Sequence, residues 1–176
     1  NHSYYQNRNK EISKVSKIYN FNSVDNLPFE PTKIDKHSMS EIIEKISKVI
    51  NKVRPNIIYL PFKEDVHTDH KKIFEASYSC TKSFRYPFIK KIYMMETLSE
   101  TEFAPSIEKK WFIPNTYVDI SKYISKKIQI MKIYKGEFNK HPFPRSEKSI
   151  KALATFRGST SGCKFAESFV LLKEIF

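Results

Sequence analysis

The residues most able to do chemistry lie together between Glu64 and His70. This stretch contains two histidines, His67 and His70, with Asp69 immediately before the second histidine and Asp65 before the first. Imidazole and carboxylate groups bind transition-metal ions and move protons near neutral pH. The cluster therefore predicts either a metal site or an acid–base site, and the spacing by itself leaves both open.

Each of these residues also has a purely structural interpretation. Asp69 could cap a helix by accepting hydrogen bonds from free backbone N–H groups. Glu64 and Asp65 are expected to be solvated loop charges. A single histidine near a helix start is commonly an ordinary surface or core residue. The prediction of a chemical role depends on the combination of two histidines with an intervening aspartate.

The cluster directly follows a segment that is typical of a buried strand. Residues 56–60 are mostly apolar and include β-branched side chains, as in strands covered on both faces of a parallel sheet. A helix is predicted for residues 69–82. Because ligands in such sheets bind beyond the carboxyl ends of the strands, the cluster lies where a site is expected.

The rest of the chain alternates between helical and strand patterns. The clearest helix is residues 38–53, where a serine can cap the start and Pro55 ends it. Its apolar stripe consists of Met39, Ile42, Ile43, Ile46, Val49 and Ile50. Further helices are predicted for residues 5–19, 120–134, 146–157 and 163–176, and strands for residues 23–29 and 89–95. The alternation predicts an α/β fold with a mainly parallel sheet.

Composition limits the classes of function. The 176 residues fit one domain, so residues 1–176 are predicted to form a single domain. A hydrophobic fraction of 40% and an aromatic fraction of 14% exclude a disordered chain. The chain has only two cysteines and no apolar signal-peptide core, which predicts a cytoplasmic protein without a disulfide framework. No apolar run is long enough to span a membrane.

The formal net charge is +12, from 31 Lys and Arg against 19 Asp and Glu. A basic surface suits nucleic acid, anionic membranes or anionic ligands. Most of the excess is lysine spread thinly along the chain, and no arginine-dense helix or RNA-binding signature is present. Solvated lysine faces are therefore expected rather than a nucleic-acid partner.

The ordered motifs of this chain resemble those of the PIG-L / LmbE-like N-acetylglucosaminyl deacetylase family. The central motif is Pro61…Asp65-x-His67-x-Asp69-His70, which follows the predicted buried strand. Other similar blocks occur in the same order as in the family. They are Arg8-x-x-Glu11, Glu96-x-x-Ser99-x-Thr101-Glu102-Phe103, Phe112-x-Pro114-Asn115-x-Tyr117-Val118-Asp119-Ile120-Ser121, His141-Pro142-x-Pro144-Arg145-Ser146, Arg157-Gly158 and Ala166-Glu167-x-Phe169. The resemblance spans nearly the whole chain.

This resemblance implies a Rossmann-like three-layer sandwich and a zinc-dependent hydrolase that removes the N-acetyl group of an amino sugar or its conjugate. His70 is the implied Zn²⁺ ligand. His67 would stabilise the tetrahedral oxyanion or protonate the leaving amine, and Asp69 would orient and charge-assist one of the histidines. Arg8 is the implied substrate-binding residue, and a surface pair with Glu11 is its structural alternative. The implied partner is an N-acetylated amino sugar, and a homo-oligomer remains open.

One block of the family has no counterpart in this sequence. The family opens with a strand and a His-Pro-Asp-Asp motif that supplies a metal-binding histidine, a metal-binding aspartate and the general base. His2 has no Asp-Asp companion, so an N-terminally incomplete domain that lacks the first βα unit is expected. Two alternatives follow: a binding or structural module without catalysis, and a basic nucleic-acid-binding domain.

Overall fold

The computed structural model describes residues 2–105, 107 and 111–176, with side chains from residue 5 onward. The side chain of His2 therefore lies outside the described part. The helices are α1 (His2–Tyr19), a short 3-10 helix (Ile34–Lys36), α2 (Met39–Val53), α3 (Thr68–Ser79), α4 (Ile124–Met131) and α5 (Glu147–Ser161). The strands are β1 (Ile57–Pro61), β2 (Lys91–Met95), β3 (Thr116–Asp119) and β4 (Ala166–Glu174).

The described strands form one mixed sheet in the order β1-β2-β4-β3. Strands β1 and β2 are parallel, with Ile57 opposite Lys91 and Pro61 opposite Met95. Strand β4 runs antiparallel to β2. The predicted α/β class is confirmed, and the predicted parallel pairing holds for β1 and β2, whereas β4 makes the sheet mixed. The three-layer arrangement and the missing first βα unit stay predictions.

The chain divides into two compact units. Unit one comprises Asn1–Asn26 and Val118–Glu167, and unit two comprises Leu27–Tyr117 and Ser168–Phe176. Helices α1, α4 and α5 belong to unit one, whereas α2, α3, β1 and β2 belong to unit two. The single domain over residues 1–176 stays a prediction. No helix in the described part of the chain has the length and apolar character needed to cross a membrane.

Helix α2 anchors the core of unit two. Its start is capped by Ser38, whose Oγ accepts a hydrogen bond from the Glu41 N–H at 3.2 Å, and its end is Arg54, with a left-handed φ of 52°. Buried isoleucines from α2 join a core with β1, β2 and α3 that includes Ile42, Ile46, Ile50, Leu60, Ala76, Ile89 and Ile92. Burying each isoleucine contributes about 1.5–3 kcal/mol. This packing holds β1 and α3, the elements that flank the histidine cluster.

The predicted C-terminal helix over residues 163–176 is wrong. Helix α5 ends at Gly162, which has a φ of 75°, and most of the following segment forms strand β4. The apolar run in this segment fits a helical stripe and a buried strand equally well. Pairing with β2 decides between them, because a strand placed beside β2 satisfies the backbone groups of both.

The other predicted elements differ mainly in their ends. The strand predicted for residues 23–29 is wrong, since Leu27 and Phe29 pack against the core of unit two without a neighbouring strand. The helix predicted for residues 120–134 is shorter, from Ile124 to Met131. The remaining predicted helices and strands are confirmed to within a few residues at their ends.

Glu147, in the first turn of α5, provides a pH test of the surface charges of unit one. Its carboxylate lies 2.8 Å from Lys151 Nζ and 2.9 Å from Lys132 Nζ. Hydrogen bonds from these lysines lower the pKa of the Glu147 carboxyl from 4.5 to about 2. Ionised Glu147 therefore stabilises the fold above about pH 4.5, and this contribution is lost as the pH falls towards 2.

Glu147→Gln is thus expected to lower the melting temperature slightly at neutral pH and to leave it unchanged near pH 2. The effect is small because both ion pairs are exposed. Thermal unfolding followed by circular dichroism across this pH range measures it. Glu75→Gln is the control, because Glu75 is an exposed helical glutamate outside the ion pairs of the described residues. Equal losses at both pH values would contradict the prediction.

Candidate functional site

The histidine cluster lies beyond the carboxyl end of β1, in the loop that leads into α3. Phe62 follows the strand and packs edge-on against Phe112, with ring centroids 5.3 Å apart. The Asp65 N–H then donates to the Phe62 carbonyl at 3.1 Å and turns the chain. Because β1 and β2 are parallel, their carboxyl ends meet at this edge. The site therefore lies where the α/β pattern predicts it.

His67 occupies the N-cap position of α3. Its Nδ1 accepts a hydrogen bond from the Asp69 backbone N–H at 3.1 Å. The helix cap predicted for Asp69 is therefore provided by His67. A ring nitrogen that accepts a hydrogen bond carries no proton, so neutral His67 has its proton on Nε2. His67 consequently offers an N–H donor on the side of the ring away from the helix backbone.

His70 lies one helical turn further along, beside His67. The two rings stack with centroids 5.2 Å apart and an interplanar angle of 23°. Nδ1 of His70 is 2.7 Å from Asp65 Oδ2. This hydrogen bond is the main cause that raises the pKa of His70, against the opposing effect of burial. The structure thus brings both predicted histidines together, with Nε2 of His70 directed away from its carboxylate partner.

Asp65 is the residue of this candidate site that sequence reasoning assigned wrongly. It was expected to be a solvated loop charge, but its exposed fraction is 0%. Its Oδ2 pairs with His70, and its Oδ1 accepts a hydrogen bond from Thr101 Oγ1 at 2.7 Å. The available signal was its position within the family-like motif. Helical periodicity gave no signal for the burial of Asp65, because Asp65 precedes α3 and shares no helical face with His70.

Asp69 is buried, with an exposed fraction of 8%. Its Oδ2 accepts a hydrogen bond from the Thr32 backbone N–H at 2.6 Å, so its carboxylate holds the loop that precedes α2. Its Oδ1 accepts no hydrogen bond within the described part of the chain. Asp69 bonds His67 through its backbone N–H, and its charge is a minor contributor to the raised pKa of His70. Of the two aspartates, Asp65 is the one whose carboxylate bonds a histidine of the cluster directly.

Arg8 lies on α1 in unit one. Its guanidinium pairs with Glu137 and, at 3.3 Å, with Glu11, and it lies 5.2 Å from the centroid of the Tyr134 ring. Glu137 also pairs with Arg145 at 2.6 Å. The structural alternative for Arg8, the pair with Glu11, is confirmed. Its role in substrate binding stays a prediction.

The side chains that could act as metal ligands determine how well the site fits a metal ion. Among residues 2–105, 107 and 111–176, no group of three or more His, Cys, Asp or Glu side chains could hold a metal. His70 fits one ligand position, because a histidine that donates its other ring N–H to a carboxylate has the usual form of a metal-binding histidine. The described residues therefore provide one prepared nitrogen ligand and an incomplete set.

Comparison with known families and structures agrees with the motif-based resemblance. Residues 1–81 match the model of the PIG-L family, described as GlcNAc-PI de-N-acetylase. This segment contains α1 and the whole histidine cluster. The recognition of the PIG-L family made from the sequence is thus confirmed over these residues.

Three solved structures share the fold. A conserved protein from Thermus thermophilus has a TM-score of 0.76 and 20% identity, and the match covers 97% of this chain and 75% of that one. The N,N'-diacetylchitobiose deacetylase from Pyrococcus horikoshii has a TM-score of 0.72 and 16% identity over 96% of this chain and 64% of that one. The 4-carboxy-2-hydroxymuconate hydratase from Pseudomonas putida has a TM-score of 0.69 and 14% identity over 97% and 73%.

These likenesses establish a common fold and leave the reaction open. A deacetylase and a hydratase are both among the similar structures, so the fold alone does not choose between their chemistries. The chain spans about three quarters of the Thermus protein and less than two thirds of the Pyrococcus enzyme. Which reaction this fold supports here therefore depends on the side chains of the site.

Proposed function

We propose, from the PIG-L family match over residues 1–81, that this protein takes part in the hydrolytic removal of an N-acetyl group from an amino sugar or its conjugate. The observation that carries the proposal is the pair of stacked imidazoles with different hydrogen-bond partners. His67 accepts at Nδ1 from a backbone N–H, whereas Nδ1 of His70 faces the Asp65 carboxylate. His67 therefore presents an N–H donor at Nε2, whereas His70 presents a lone pair at Nε2.

His67 serves as the hydrogen-bond donor to the acetyl oxygen. Attack on the amide carbonyl places negative charge on that oxygen, and a positioned donor there is worth about 100- to 1,000-fold in rate. Protonating His67 would place the second proton of the ring on Nδ1, and the hydrogen bond that Nδ1 accepts from the Asp69 N–H would then break. This favours the oxyanion role over the alternative role of proton donor to the leaving amine.

His70 serves as the zinc ligand through Nε2. Zinc, when bound, polarises the acetyl carbonyl and lowers the pKa of a bound water. Asp65 fixes the ring of His70, and the negative charges of Asp65 and Asp69 favour a cation at this edge of the sheet. Within the described residues, no group of three or more His, Cys, Asp or Glu side chains completes a ligand set with His70.

Arg8 remains the candidate residue for binding a polar group of the substrate. Its planar guanidinium suits a substrate phosphate, hydroxyl or carboxylate, and in this structure it pairs with Glu11 and Glu137. Cytoplasmic location, predicted from cysteine usage and the lack of a signal-peptide core, stays a prediction.

His70→Ala in the full natural polypeptide tests the proposal. The variant is expected to lose bound zinc and to release acetate from N-acetylglucosamine and its glycosides at least about 100-fold more slowly. Elemental analysis and an acetate assay measure the two effects. His141→Ala is the matched control, since His141 is exposed. Unchanged acetate release and zinc content in His70→Ala would contradict the proposal.

A non-catalytic sugar-binding module is the second candidate. The observation that favours it is the incomplete ligand set within the described residues. It predicts that the natural protein binds N-acetylglucosamine, measured by calorimetric titration, without releasing acetate in the presence of added zinc. Acetate release that depends on zinc would exclude this candidate.

A further inference from the structure

We propose that unit two docks on an anionic phospholipid bilayer through the edge of its sheet where β1 and β2 begin. The end of α2, the segment that precedes β2 and the end of β4 meet at this edge, which we name the basic edge. The histidine cluster lies at the other end of the same strands, about 16 Å away, the length of a five-residue strand. The basic edge is therefore separate from the candidate active site.

Printed contacts join the three segments of the basic edge. The Lys90 N–H donates to the Asn56 carbonyl at 2.7 Å, and the Ile175 N–H donates to the Lys90 carbonyl at 2.9 Å. The guanidinium of Arg54, at the end of α2, lies 4.4 Å from the centroid of the Phe88 ring. Side chains from residues 52–56, 80–91 and 173–175 therefore share one surface of unit two.

The basic edge carries a large excess of positive charge. In residues 52–56, 80–91 and 173–175, Lys and Arg occupy seven positions, whereas Asp and Glu occupy one. The acidic residue is Glu174, which pairs with Lys91. The other cations are Lys52, Arg54, Lys82, Arg85, Lys90 and Lys173. Because each lysine or arginine near an anionic bilayer raises partitioning about fivefold, this charge fits a surface of anionic headgroups.

Apolar side chains are exposed among these cations. The exposed fractions are 78% for Phe84, 50% for Val53 and 36% for Ile175, and the Arg85 guanidinium lies 5.5 Å from the centroid of the Phe84 ring. Apolar groups beside cationic groups suit the boundary between the acyl chains and the headgroups of a bilayer. The aliphatic side chains offer no ring on which a nucleic-acid base can stack, so a bilayer fits this surface better than single-stranded nucleic acid.

The turn that carries Phe84 is fixed by the core of unit two. The N–H groups of Arg85 and Tyr86 both donate to the Lys82 carbonyl at 2.9 Å. Tyr86 is buried, and its hydroxyl lies 2.8 Å from Ser47 Oγ on α2. The exposed ring therefore belongs to an ordered turn, which reduces the conformational entropy lost when the ring enters the bilayer.

Co-sedimentation of the full natural polypeptide with vesicles tests the proposal. The protein is expected to bind vesicles of phosphatidylcholine mixed with phosphatidylserine, and to bind vesicles of phosphatidylcholine alone at least about 10-fold more weakly. Raising the salt concentration should weaken binding to the mixed vesicles, because salt screens interactions between exposed charges.

A triple substitution tests whether the basic edge is the surface that binds. Lys82→Gln, Arg85→Gln and Lys90→Gln together are expected to weaken partitioning about 100-fold, from about fivefold for each cation. The matched control loses the same charge at the opposite edge of the sheet, through Lys33→Gln, Lys36→Gln and Lys63→Gln. These side chains lie more than a Debye length from the bilayer, so the control should change partitioning by less than about threefold.

Phe84→Ala tests whether the exposed ring enters the bilayer. The substitution keeps every charge and is expected to weaken partitioning at least about 10-fold, because the apolar area of the ring is no longer removed from water. Adsorption by charge alone would leave the binding of this variant unchanged. Circular dichroism checks that all variants are folded.

Three results would each overturn the proposal: no binding to the anionic vesicles, equal losses in the two triple variants, or full binding of Phe84→Ala. Binding of the protein to single-stranded RNA without binding to vesicles would assign the basic edge to nucleic acid and reject the bilayer. Vesicle binding needs neither zinc nor an amino sugar. Its failure therefore leaves the proposed function standing, and a failed acetate assay leaves this proposal standing.

Discussion

Asp65→Asn is expected to reduce kcat/KM for the proposed deacetylation by about 10³- to 10⁴-fold while the protein stays folded, by analogy with the same change in a catalytic triad. Asparagine keeps the shape of the side chain. Its carbonyl oxygen can still accept the Thr101 hydroxyl, but its NH₂ group then faces His70 Nδ1. That nitrogen must become an acceptor, so the proton of His70 moves to Nε2 and the ring can no longer bind a metal there.

Three measurements together check this prediction: acetate release, zinc content and the tautomer of His70, which is read from the ¹⁵N spectrum of its imidazole ring. Asp35→Asn is the matched control, because Asp35 is an exposed aspartate of the same unit, in the short 3-10 helix. It should leave all three unchanged. Activity of Asp65→Asn within a few-fold of wild type, with Nε2–H established in the spectrum, would show that the tautomer does not limit the reaction.

Gly158→Ala is expected to lower the free energy of unfolding by about 2 kcal/mol, in the range typical of overpacking. A Cβ on Gly158 would lie 2.6 Å from the Cys163 carbonyl oxygen and 2.9 Å from the backbone of Lys164. These atoms cannot move away easily, because the Cys163 N–H donates to the Gly158 carbonyl at 3.0 Å. The clash therefore outweighs the gain of about 1 kcal/mol in helix propensity.

Gly136→Ala provides the control for this effect. A Cβ on Gly136 would meet no heavy atom within 4 Å, so the stability is expected to change by less than about 0.5 kcal/mol. Urea unfolding of both variants measures the difference in the free energy of unfolding. The dependence of this free energy on urea concentration should be the same in both variants. Equal stability of the two variants would show that the backbone after α5 yields to the added methyl group.

Local sequence patterns were sufficient for the elements that carry their own signals. The amphipathic stripe, serine cap and proline stop of α2 predicted its boundaries closely. The buried strand β1 and the start of α3 were also recognisable, so the sequence placed His67 and His70 at the correct edge of the sheet. These features depend on contacts between residues close in the chain.

Predictions from local sequence patterns were wrong where contacts between segments distant in the chain determine the structure. Residues 166–174 fit a helical stripe, but the backbone of β2 provides a strand partner and the segment becomes β4. Asp65 looked like a solvated charge, since nothing near it in sequence suggests burial. Thr101 is 36 residues away from Asp65 along the chain, and only the fold brings its hydroxyl to the carboxylate.

The side chains available for chemistry, the strand and helix that flank them and the family that they resemble could all be recognised before the chain was folded. The chemical state of these side chains depends on the fold. A tautomer depends on which donors and acceptors surround a ring, and for His70 the acceptor is the carboxylate of Asp65, which also bonds Thr101 beyond the end of β2. Such contacts join segments that no local spacing relates, so they become visible only when the chain is folded.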